Sequence, residues 1–473
     1  MSDGATYETA RWTDRRRRFE RLEQRVVQLH LAHRDEDAVR VVDALRYVLS
    51  FARLISIRNR DGDDVDVSGP LALHAAQVFD ELSQRLDHAS HLWDAARTLP
   101  DLTARTRRVR ASVLEHLPID REALEEEVTT RKLAVVSGGG GGAGYVYPGC
   151  YDELDRHGLV PDVMVGTSIG ALMSMFRARK RRFDPAPMVQ AGHSLTWTNV
   201  FRVLQTDSRY GLPATLRLYL RTALGGLFKR PSGEPLLMRD MEIPLLVMTT
   251  GLTVDALKHD LGYYEHLLDG EMGGSLRGRI GGLMKVLGIL RDFLSRPDAL
   301  VEVAIGRSRG TEDFDVLDAA GFSAAIPGVI HYDVLRDDAH MKRVLDNLYA
   351  DFGITRLGEG GLVANVASRV AWETVTSGAY GRRNVFVLAL DCFAPNPRAP
   401  AWFPFQQAVR TANVEANRAY SDVYLTFPRT LSPMNLVPAM PDLLGAMRWG
   451  RETLAPHIPF IKEMMRPIEA LPG

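Results

Sequence analysis

This chain of 473 residues has few of the features that mark secreted or membrane-spanning proteins. It contains only two cysteines, Cys150 and Cys392, which lie far apart and in no metal-ligand spacing, as is typical of a protein kept in a reducing compartment. The first residues are polar, and no run of about eighteen or more apolar residues follows them. We therefore expect a soluble, cytoplasmic protein.

The chain also has almost no net charge. The 58 lysines and arginines balance 59 aspartates and glutamates, and the formal net charge is −1. The chain therefore lacks the positive excess with which proteins attract nucleic acid, and we expect no nucleic-acid partner. Four consecutive arginines at 15–18 are the strongest local exception. They indicate either a solvated helix face interleaved with Glu20 and Glu23 or, alternatively, a peripheral membrane contact with phospholipid headgroups.

Hydrophobic residues, by contrast, make up 45% of the chain, which is enough for a large core, and the length favours two or three domains. In residues 1–130, apolar side chains recur at a three-then-four spacing among charged ones, as at Phe19, Leu22, Val26 and Leu29. This spacing is typical of amphipathic helices. The sequence therefore predicts an all-helical N-terminal domain over residues 1–130.

From residue 131 the pattern changes to short apolar strands that alternate with helices. Such alternation predicts an α/β domain with a mostly parallel sheet covered by helices on both faces, which makes three layers. We place this domain at 131–391, with an insertion at about 255–311, and a C-terminal helical extension packed on it at 392–473. The basic amphipathic stretch at 280–294 is interpreted as a helix that packs on its own domain or, alternatively, as an interfacial lid.

A G-x-S-x-G motif follows the short apolar strand at 163–165 and precedes a helical stretch. A serine hydroxyl is a weak nucleophile, and a tight strand-to-helix turn, or elbow, holds it exposed for attack on a carbonyl. Gly166 and Gly170, two positions either side of Ser168, let the backbone turn without a Cβ clash. The alternative is that Ser168 merely caps the helix that follows.

A second glycine-rich turn follows the apolar strand at 133–136, where residues 137–144 read SGGGGGAG. Attack on an ester carbonyl creates an oxyanion, and fixed N–H donors stabilise it by roughly 3–4 kcal/mol. The predicted donors are the N–H groups of the glycine loop: Gly139, Gly140, Gly141 and Gly142. Three glycines at 139, 141 and 144, with Asp162 as a ribose-binding acid, also fit a dinucleotide fingerprint, which is the alternative here. In either case Gly144 belongs to the motif.

Two further motifs occur later in the chain. Residues 323–327 read SAAIP, and an acid-Gly-Gly-x-x-x-Asn turn spans residues 359–365. Taken in order with the glycine loop and the G-x-S-x-G elbow, they resemble the patatin-like phospholipase family over roughly residues 131–391. The resemblance implies a patatin-like three-layer fold that hydrolyses carboxylic esters of phospholipids or neutral acyl lipids. It implies no metal and no organic cofactor.

The resemblance also implies roles for individual residues. Ser168 would be the nucleophile that forms an acyl-enzyme, the glycine loop would be the oxyanion hole, and Glu359 would be the general base, followed by the motif glycines Gly360 and Gly361. In this family the base is an aspartate, so the chain departs from the pattern at Glu359. The extra methylene moves the carboxylate by about a bond length, whereas proton transfer needs an approach of roughly 2.6–3.2 Å.

Two other interpretations remain open. Asp391 and His457 follow Ser168 in the chain order of an α/β-hydrolase triad, although His457 lies between two prolines in a helix-interrupting segment, and the sequence has no His-Gly-Gly oxyanion segment. The other alternative is a catalytically weak patatin-like module that binds lipid or has a regulatory role. Covalent reaction of Ser168 with an ester-like probe distinguishes these classes.

Overall fold

The computed structural model describes residues 2–33, 38–203, 208–212, 214–253, 299–308, 310–334, 336–395, 406–407, 409–410 and 414–472. The chain forms two compact units, and each is built from separate stretches of sequence. The first comprises Met1–Leu133, Trp372–Phe386 and Pro456–Gly473, and the second comprises Ala134–Ala371 and Val387–Ala455. The predicted helix at 280–294 lies outside the described residues.

These units differ from the predicted domain boundaries in the later part of the chain. The sequence predicts one sheet domain over 131–391, but residues 372–386 join the unit of the N-terminal helices. The predicted C-terminal extension at 392–473 divides after residue 455 between the two units. Periodicity shows which residues are apolar, but not which remote stretch covers them, so these boundaries escape sequence reasoning.

Helices make up most of the first unit. They are α1 (Ser2–His33), α2 (Val39–Ala52), α3 (Ser68–His88), α4 (Leu92–Ala96), α5 (Leu99–His116), α6 (Arg121–Thr129) and the helix Ile458–Met465. Buried apolar side chains at helical spacing form its core, among them Phe19, Val26, Val42, Leu45, Val78, Leu82, Phe51, Val113 and Leu124. The three-then-four pattern thus marks the buried faces of these helices.

The first unit is not entirely helical, and the prediction is wrong in this detail. Strands β1 (Ser56–Arg58) and β2 (Asp64–Asp66) pair antiparallel as a short hairpin. In its turn the N–H of Asn59 donates to the oxygen of Asp63 at 2.9 Å, and Gly62 has a φ of +89°. Strands of three residues are too short to give an alternating pattern, so the sequence shows only the turn between them.

The arginine run at 15–18 lies partly in the interior of the first unit. Arg16 and Arg17 are buried and pair with Glu20, and Arg16 also donates to the main-chain oxygen of Arg383. Arg18, unlike Arg16 and Arg17, is exposed. It pairs with Asp14, one helical turn earlier. Neither a solvated face nor a headgroup contact therefore describes Arg16 and Arg17. The pattern of charges in the sequence does not show that carboxylate and carbonyl groups from remote stretches of the chain surround these two side chains.

The strands that follow belong mainly to the second unit. They are β3 (Lys132–Ser137), β4 (Val163–Thr167), β5 (Phe201–Val203), β6 (Ala214–Leu218), β7 (Leu245–Leu252), β8 (Leu300–Ile305), β9 (Gly328–His331), β10 (Arg356–Glu359), β11 (Val385–Asp391) and β12 (Val423–Thr426). In the main sheet β10 pairs with β7, β7 with β4, β4 with β3, β3 with β11 and β11 with β12, and β8 also pairs with β7. Strands β5, β6 and β9 form a smaller sheet. The strands beginning at 133 and 163 in the sequence pattern are therefore neighbours.

Parallel and antiparallel pairs both occur in the main sheet. β3 pairs with β4, β4 with β7 and β11 with β12 in parallel, whereas β8 and β10 run antiparallel to β7. The α/β class is thus confirmed, with a mixed sheet. Strand β12 lies in the predicted C-terminal extension, which is therefore not purely helical.

Helices connect these strands. They are α7 (Tyr147–Arg156), α8 (Ile169–Ala178), α9 (Ala186–Ser194), α10 (Trp197–Val200), α11 (Leu220–Leu224), α12 (Val316–Ser323), α13 (Ala339–Phe352), α14 (Gly361–Ala364), α15 (Ser368–Thr376), α16 (Glu415–Arg418) and α17 (Met440–Leu454). Short 3-10 segments occur at Gly141–Val146, Met238–Asp240, Thr311–Asp313 and Ala455–His457. Within the described part of the chain, none of the helices combines the length and the apolar character that a membrane crossing requires.

Candidate active site

Ser168 occupies the turn between β4 and α8 in a conformation that is rare for a residue with a side chain. Its φ is +55° and its ψ is −123°, and it is the one non-glycine residue of positive φ in the described ranges. Its main-chain oxygen accepts from the N–H of Leu172 at 3.2 Å, but its side chain caps none of the described N–H groups of α8. The interpretation of Ser168 as a plain helix cap is therefore wrong.

Gly166 and Gly170 make room for this turn. A Cβ at Gly166 would lie 2.5 Å from the backbone of α8, and a Cβ at Gly170 would lie 2.0 Å from the carbonyl oxygen of Ser137. Gly144 brings the glycine loop equally close to the elbow, since a Cβ there would lie 2.5 Å from Cγ2 of Ile169. These distances are far below van der Waals contact, so the three positions accommodate only glycine without movement of the backbone.

Strand register brings Glu359 to Ser168. β4 runs along one edge of β7 and pairs Thr167 with Met248, while β10 approaches from the opposite direction and pairs Glu359 with Thr249. Because β8 already pairs with this stretch of β7, β4 and β10 share the remaining edge. The two strands therefore end next to each other, and the elbow meets the acid although the two are far apart in the sequence.

The side chains of Ser168 and Glu359 lie together, since a Cβ at Gly139 would be 3.1 Å from Cβ of Ser168 and 3.6 Å from Oε1 of Glu359. Both residues are buried, with exposed fractions of 4% and 8%. Burial raises the pKa of Glu359 to about 7, and the hydrogen bonds from the Ser168 hydroxyl and the Gly361 N–H oppose this rise. A carboxyl with a pKa near neutral pH can both accept a proton and return it.

Close backbone contacts fix the turn that carries Glu359. Its carbonyl oxygen accepts from the hydroxyl of Thr250 at 2.6 Å. A Cβ at Gly360 would lie 2.2 Å from the oxygen of Met248, and a Cβ at Gly361 would lie 3.2 Å from Oε1 of Glu359. The two motif glycines therefore let the turn approach β7 and leave the carboxylate unobstructed. The longer acid reaches the serine here in spite of its extra methylene.

The glycine loop lies against the same residues, but only part of it is free to donate. The N–H of Gly139 donates to Asn365, to Oδ1 at 3.1 Å and to the main-chain oxygen at 3.3 Å. The N–H of Gly142 donates to a carbonyl oxygen of a later loop at 2.9 Å. The N–H groups of Gly140 and Gly141 have no acceptor within the described ranges. Of the four N–H groups predicted as oxyanion donors, those of Gly140 and Gly141 are therefore the two that remain available.

Gly140 and Gly141 cannot carry a side chain in this loop. Their φ angles are +154° and +55°, and added Cβ atoms would lie 2.6 Å from Sγ of Cys392 and 2.3 Å from the oxygen of Pro433. The N–H of Ile169, directly after the serine, also has no acceptor among the residues that the structure describes. In an elbow this is the position of a further oxyanion donor, which the sequence motif alone did not bring to attention.

An apolar cavity opens beside Ser168. Side chains from several helices and from the loop before α17 form its wall, including Leu172, Phe176, Leu220, Leu224, Ile326 and Leu436. The polar atoms near them are few. The hydroxyl of Tyr145, which also lines the cavity, donates to the main-chain oxygen of Leu436 at 2.7 Å. Ser168 therefore borders a surface suited to hydrocarbon.

Two residues that hold the site had no role in the sequence analysis. The Oγ of Ser323 accepts from the N–H of Ser168 at 2.8 Å and donates to the oxygen of Met248 at 2.6 Å. Asn365 anchors the glycine loop through Gly139. Both residues belong to motifs that the sequence analysis singled out, the SAAIP segment and the acid-Gly-Gly turn. Their place in these motifs is the sequence feature that could have identified them as site residues.

The bonds of Asp391 and the position of Asp162 do not support the alternative sites. The carboxylate of Asp391 accepts from the N–H of Phe393 at 2.9 Å and from the hydroxyl of Tyr424, and no described histidine bonds to it. His457 belongs to the first unit. Asp162 precedes β4, whereas the glycine loop follows the parallel strand β3, so the two lie at opposite ends of the sheet. The dinucleotide interpretation is therefore wrong.

Comparison with known proteins agrees with this geometry. A family model, described as patatin-like phospholipase, matches residues 135–372, which is half of the chain. The matched stretch contains Ser168, Glu359 and the glycine loop. The search for similar curated proteins found no match. On the strength of the family match, the chain belongs to the patatin-like phospholipase family.

Proposed function

We propose that this protein hydrolyses carboxylic ester bonds of phospholipids or neutral acyl lipids through an acyl-enzyme on Ser168. The observation that carries the proposal is the proximity of the Ser168 side chain to the buried Glu359 carboxylate beside an apolar cavity. Members of the patatin-like family are lipid acyl hydrolases, which supports the reaction class. The direct test is release of fatty acid from a panel of phospholipids and neutral lipids by the purified protein.

In the first half-reaction, Glu359 takes the proton of the Ser168 hydroxyl as Oγ attacks the ester carbonyl carbon. The carbonyl oxygen becomes an oxyanion, which accepts hydrogen bonds from the N–H groups of Gly140, Gly141 and Ile169. When the tetrahedral intermediate collapses, the bond to the alcohol oxygen breaks and protonated Glu359 returns its proton to the leaving alcohol. Ser168 then carries the acyl group as an ester.

In the second half-reaction, water replaces the alcohol. Glu359, again ionised, takes a proton from the water as its oxygen attacks the acyl carbon, and the same N–H groups hold the second oxyanion. Collapse of this intermediate breaks the bond to Oγ, and Glu359 returns the proton to Ser168. The products are a free fatty acid and the regenerated hydroxyl. One carboxyl with a pKa of about 7 serves both steps.

The substrate class follows from the wall of the cavity. Aliphatic and aromatic side chains surround the space next to the nucleophile, and burial of a hydrocarbon chain there contributes about 0.8 kcal/mol per methylene. A long acyl group on the carbonyl side of the ester therefore suits the site better than a short polar one. We infer that the helices around the main sheet complete the three-layer patatin-like fold that carries this cavity.

The raised pKa of Glu359 predicts the pH dependence of the reaction. Glu359 must be ionised to take the proton of Ser168, and its pKa is about 7. The kcat/KM for a soluble ester should therefore rise about tenfold per pH unit on the acid side of this pKa and level off on the alkaline side. Initial rates measured over the range from about pH 5 to 9 give this profile directly.

The control for this profile is a check that the protein stays folded at each pH. The folded protein holds the Glu359 proton more tightly than the unfolded chain, so this group stabilises the fold most below its ordinary pKa and loses that contribution as the pH rises to about 7. Acid unfolding therefore does not come from Glu359, and circular dichroism at each pH checks the remaining groups. A rate that is already constant from about pH 5 upward would contradict a base with a pKa near 7, since only an ordinary glutamate is fully ionised at that pH.

Gly139 lies between the reacting side chains, and a methyl group there should separate them. A Cβ at Gly139 would lie 3.1 Å from Cβ of Ser168, 3.6 Å from Oε1 of Glu359 and 2.6 Å from Oδ1 of Asn365. Gly139→Ala should therefore lower kcat by roughly 100-fold, which is the effect of a displacement of about 1 Å in an active site. The measurement is kcat and KM for a soluble ester.

Gly226→Ala is the matched control for this substitution, because a Cβ at Gly226 meets nothing within 4 Å. It should leave kcat unchanged, and the thermal unfolding of both variants shows whether either one is destabilised. An unchanged kcat in Gly139→Ala would contradict the proposed arrangement of serine, acid and loop.

A catalytically weak lipid-binding module is the second candidate. The observation in its favour is the glutamate at position 359, where the family pattern has an aspartate. Such a module would bind lipid vesicles, but its Ser168 would not react with a fluorophosphonate and it would release no fatty acid. A protein that both labels at Ser168 and turns over lipid excludes it.

A further inference from the structure

Three exposed apolar side chains lie next to residues that line the cavity beside Ser168, one by a ring contact and two by their position in the sequence. Trp197 is 45% exposed, Met434 54% and Leu444 49%, and we call these three residues the rim. The ring of Trp197 lies 4.9 Å from that of Phe201, which lines the cavity. Met434 is two residues before one lining residue, and Leu444 directly follows another. The elements that line the cavity therefore also carry exposed apolar side chains.

Two arginines lie on the outer face of the β5-β6 hairpin, whose inner face helps to form the cavity. Phe201 on β5 and Leu218 on β6 line the cavity, so the residues next to them, Arg202 and Arg217, point to the other face. Arg202 and Arg217 are opposite each other in the register. Their guanidinium carbons lie 4.8 and 5.2 Å from the ring centre of Tyr219.

Among the described residues, the contact that each guanidinium of this pair makes is with the ring of Tyr219, and neither forms an ion pair with a carboxylate. Like charges directly opposite on neighbouring strands destabilise a sheet, and an anion between them removes the repulsion. Guanidinium groups bind phosphate in a bidentate manner and stack on aromatic rings. The pair therefore has the chemistry of a phosphate contact on the outer face of a hairpin that lines the cavity.

We propose that the rim and the arginine pair together dock this protein on the surface of an anionic phospholipid bilayer. The rim enters the boundary between headgroups and acyl chains, where tryptophan is favoured, and Arg202 and Arg217 bind lipid phosphates. This inference rests on the proposed function for its purpose, since a hydrolase of lipid esters has to meet its substrate at a lipid surface. A docked protein presents the mouth of the cavity directly to the acyl chains.

Co-sedimentation with vesicles of phosphatidylcholine, with and without phosphatidylglycerol, tests the proposal on the full chain. Wild type should bind the anionic vesicles more tightly, with a blue shift of tryptophan fluorescence. Arg202→Ala with Arg217→Ala should weaken this binding on the order of 30-fold, which corresponds to about 1 kcal/mol per arginine. Replacement of all three rim residues by serine should weaken binding to both kinds of vesicle by at least about tenfold and should remove the fluorescence shift.

Matched variants of the first unit serve as controls. Leu73→Ser removes an apolar side chain that is 71% exposed, and Arg85→Ala with Arg108→Ala removes two exposed positive charges. Both should bind vesicles as wild type does. If the rim and arginine variants also bind as wild type does, the proposal is wrong. It is equally wrong if wild type binds no vesicles but forms a dimer that the rim variant dissociates.

Docking and catalysis can fail separately. Ser168→Ala should bind the anionic vesicles as tightly as wild type, because the docking surface does not include this hydroxyl. If no variant or wild type releases fatty acid while binding still depends on the rim and on the arginine pair, the docking proposal stands and the hydrolase proposal falls. If Ser168 reacts normally with a fluorophosphonate but neither the rim variant nor the arginine variant changes vesicle binding, the docking proposal falls and the hydrolase proposal stands.

Discussion

Ser168→Ala should abolish lipid ester hydrolysis and labelling by a fluorophosphonate probe while the protein stays folded. The substitution removes the attacking oxygen and keeps the Cβ, so the turn at φ +55° and the bond from its N–H to the Ser323 hydroxyl can persist. Loss of the nucleophile in a serine hydrolase lowers kcat by up to about 10⁶-fold. The measurements are fatty acid release and the mass of the labelled protein.

Two further variants delimit this result. Ser232→Ala, at an exposed turn of the same unit, should label and turn over as wild type does. His457→Ala should do the same, because the base that we propose for Ser168 is Glu359 and not a histidine. Retained turnover in Ser168→Ala would end the acyl-enzyme proposal. A loss in His457→Ala as large as in Ser168→Ala would favour a Ser-Asp-His triad instead.

Glu359→Gln should lower turnover by roughly two to four orders of magnitude, the usual share of general-base catalysis. Glutamine has nearly the same size and can keep hydrogen bonds to the Ser168 hydroxyl and the Gly361 N–H, but it cannot take a proton. The substitution also removes a buried carboxyl, so the fold should not lose stability. The residual activity should no longer show an inflection near pH 7. Glu312→Gln, at an exposed position of the second unit, is the matched control and should have no effect.

Glu359→Asp tests whether the site fits the longer acid. The carboxylate of Glu359 already lies beside the Ser168 side chain, and Thr250 holds the backbone of its turn. Shortening the side chain by one methylene should open this contact, so we expect turnover to fall even though the family pattern has an aspartate. Higher turnover in the aspartate variant would mean that the glutamate is a compromise. Unchanged turnover in both variants would show that Glu359 is not the base.

The local parts of the site could be predicted from the sequence. The apolar runs at 133–136 and 163–165 became β3 and β4, and the glycines after them form the two turns expected there. Such turns are predictable because they depend on neighbouring residues, namely a β-branched strand followed by glycine. The acid at 359 was identified only through the resemblance to a family, since a lone glutamate before two glycines has no distinctive pattern.

The remote contacts could not be predicted. The N–H of Gly139 is held by Asn365, and the N–H of Ser168 by Ser323, although both partners are far away in the sequence. These bonds depend on the strand register along β7, which periodicity does not encode. The same limit explains the arginine run, where Arg16 is enclosed by residues that include the main-chain oxygen of Arg383.

At Ser168 the backbone conformation lowers the stability of the fold, whereas the side chain supplies the proposed nucleophile. A residue with a Cβ held at positive φ in an elbow costs about 1–3 kcal/mol, and alanine retains this cost because it has the same Cβ. Glycine alone would remove it, together with the hydroxyl. Selection for heat resistance alone would therefore replace the serine by glycine, and an engineered chain made more stable at this turn would be an inert one.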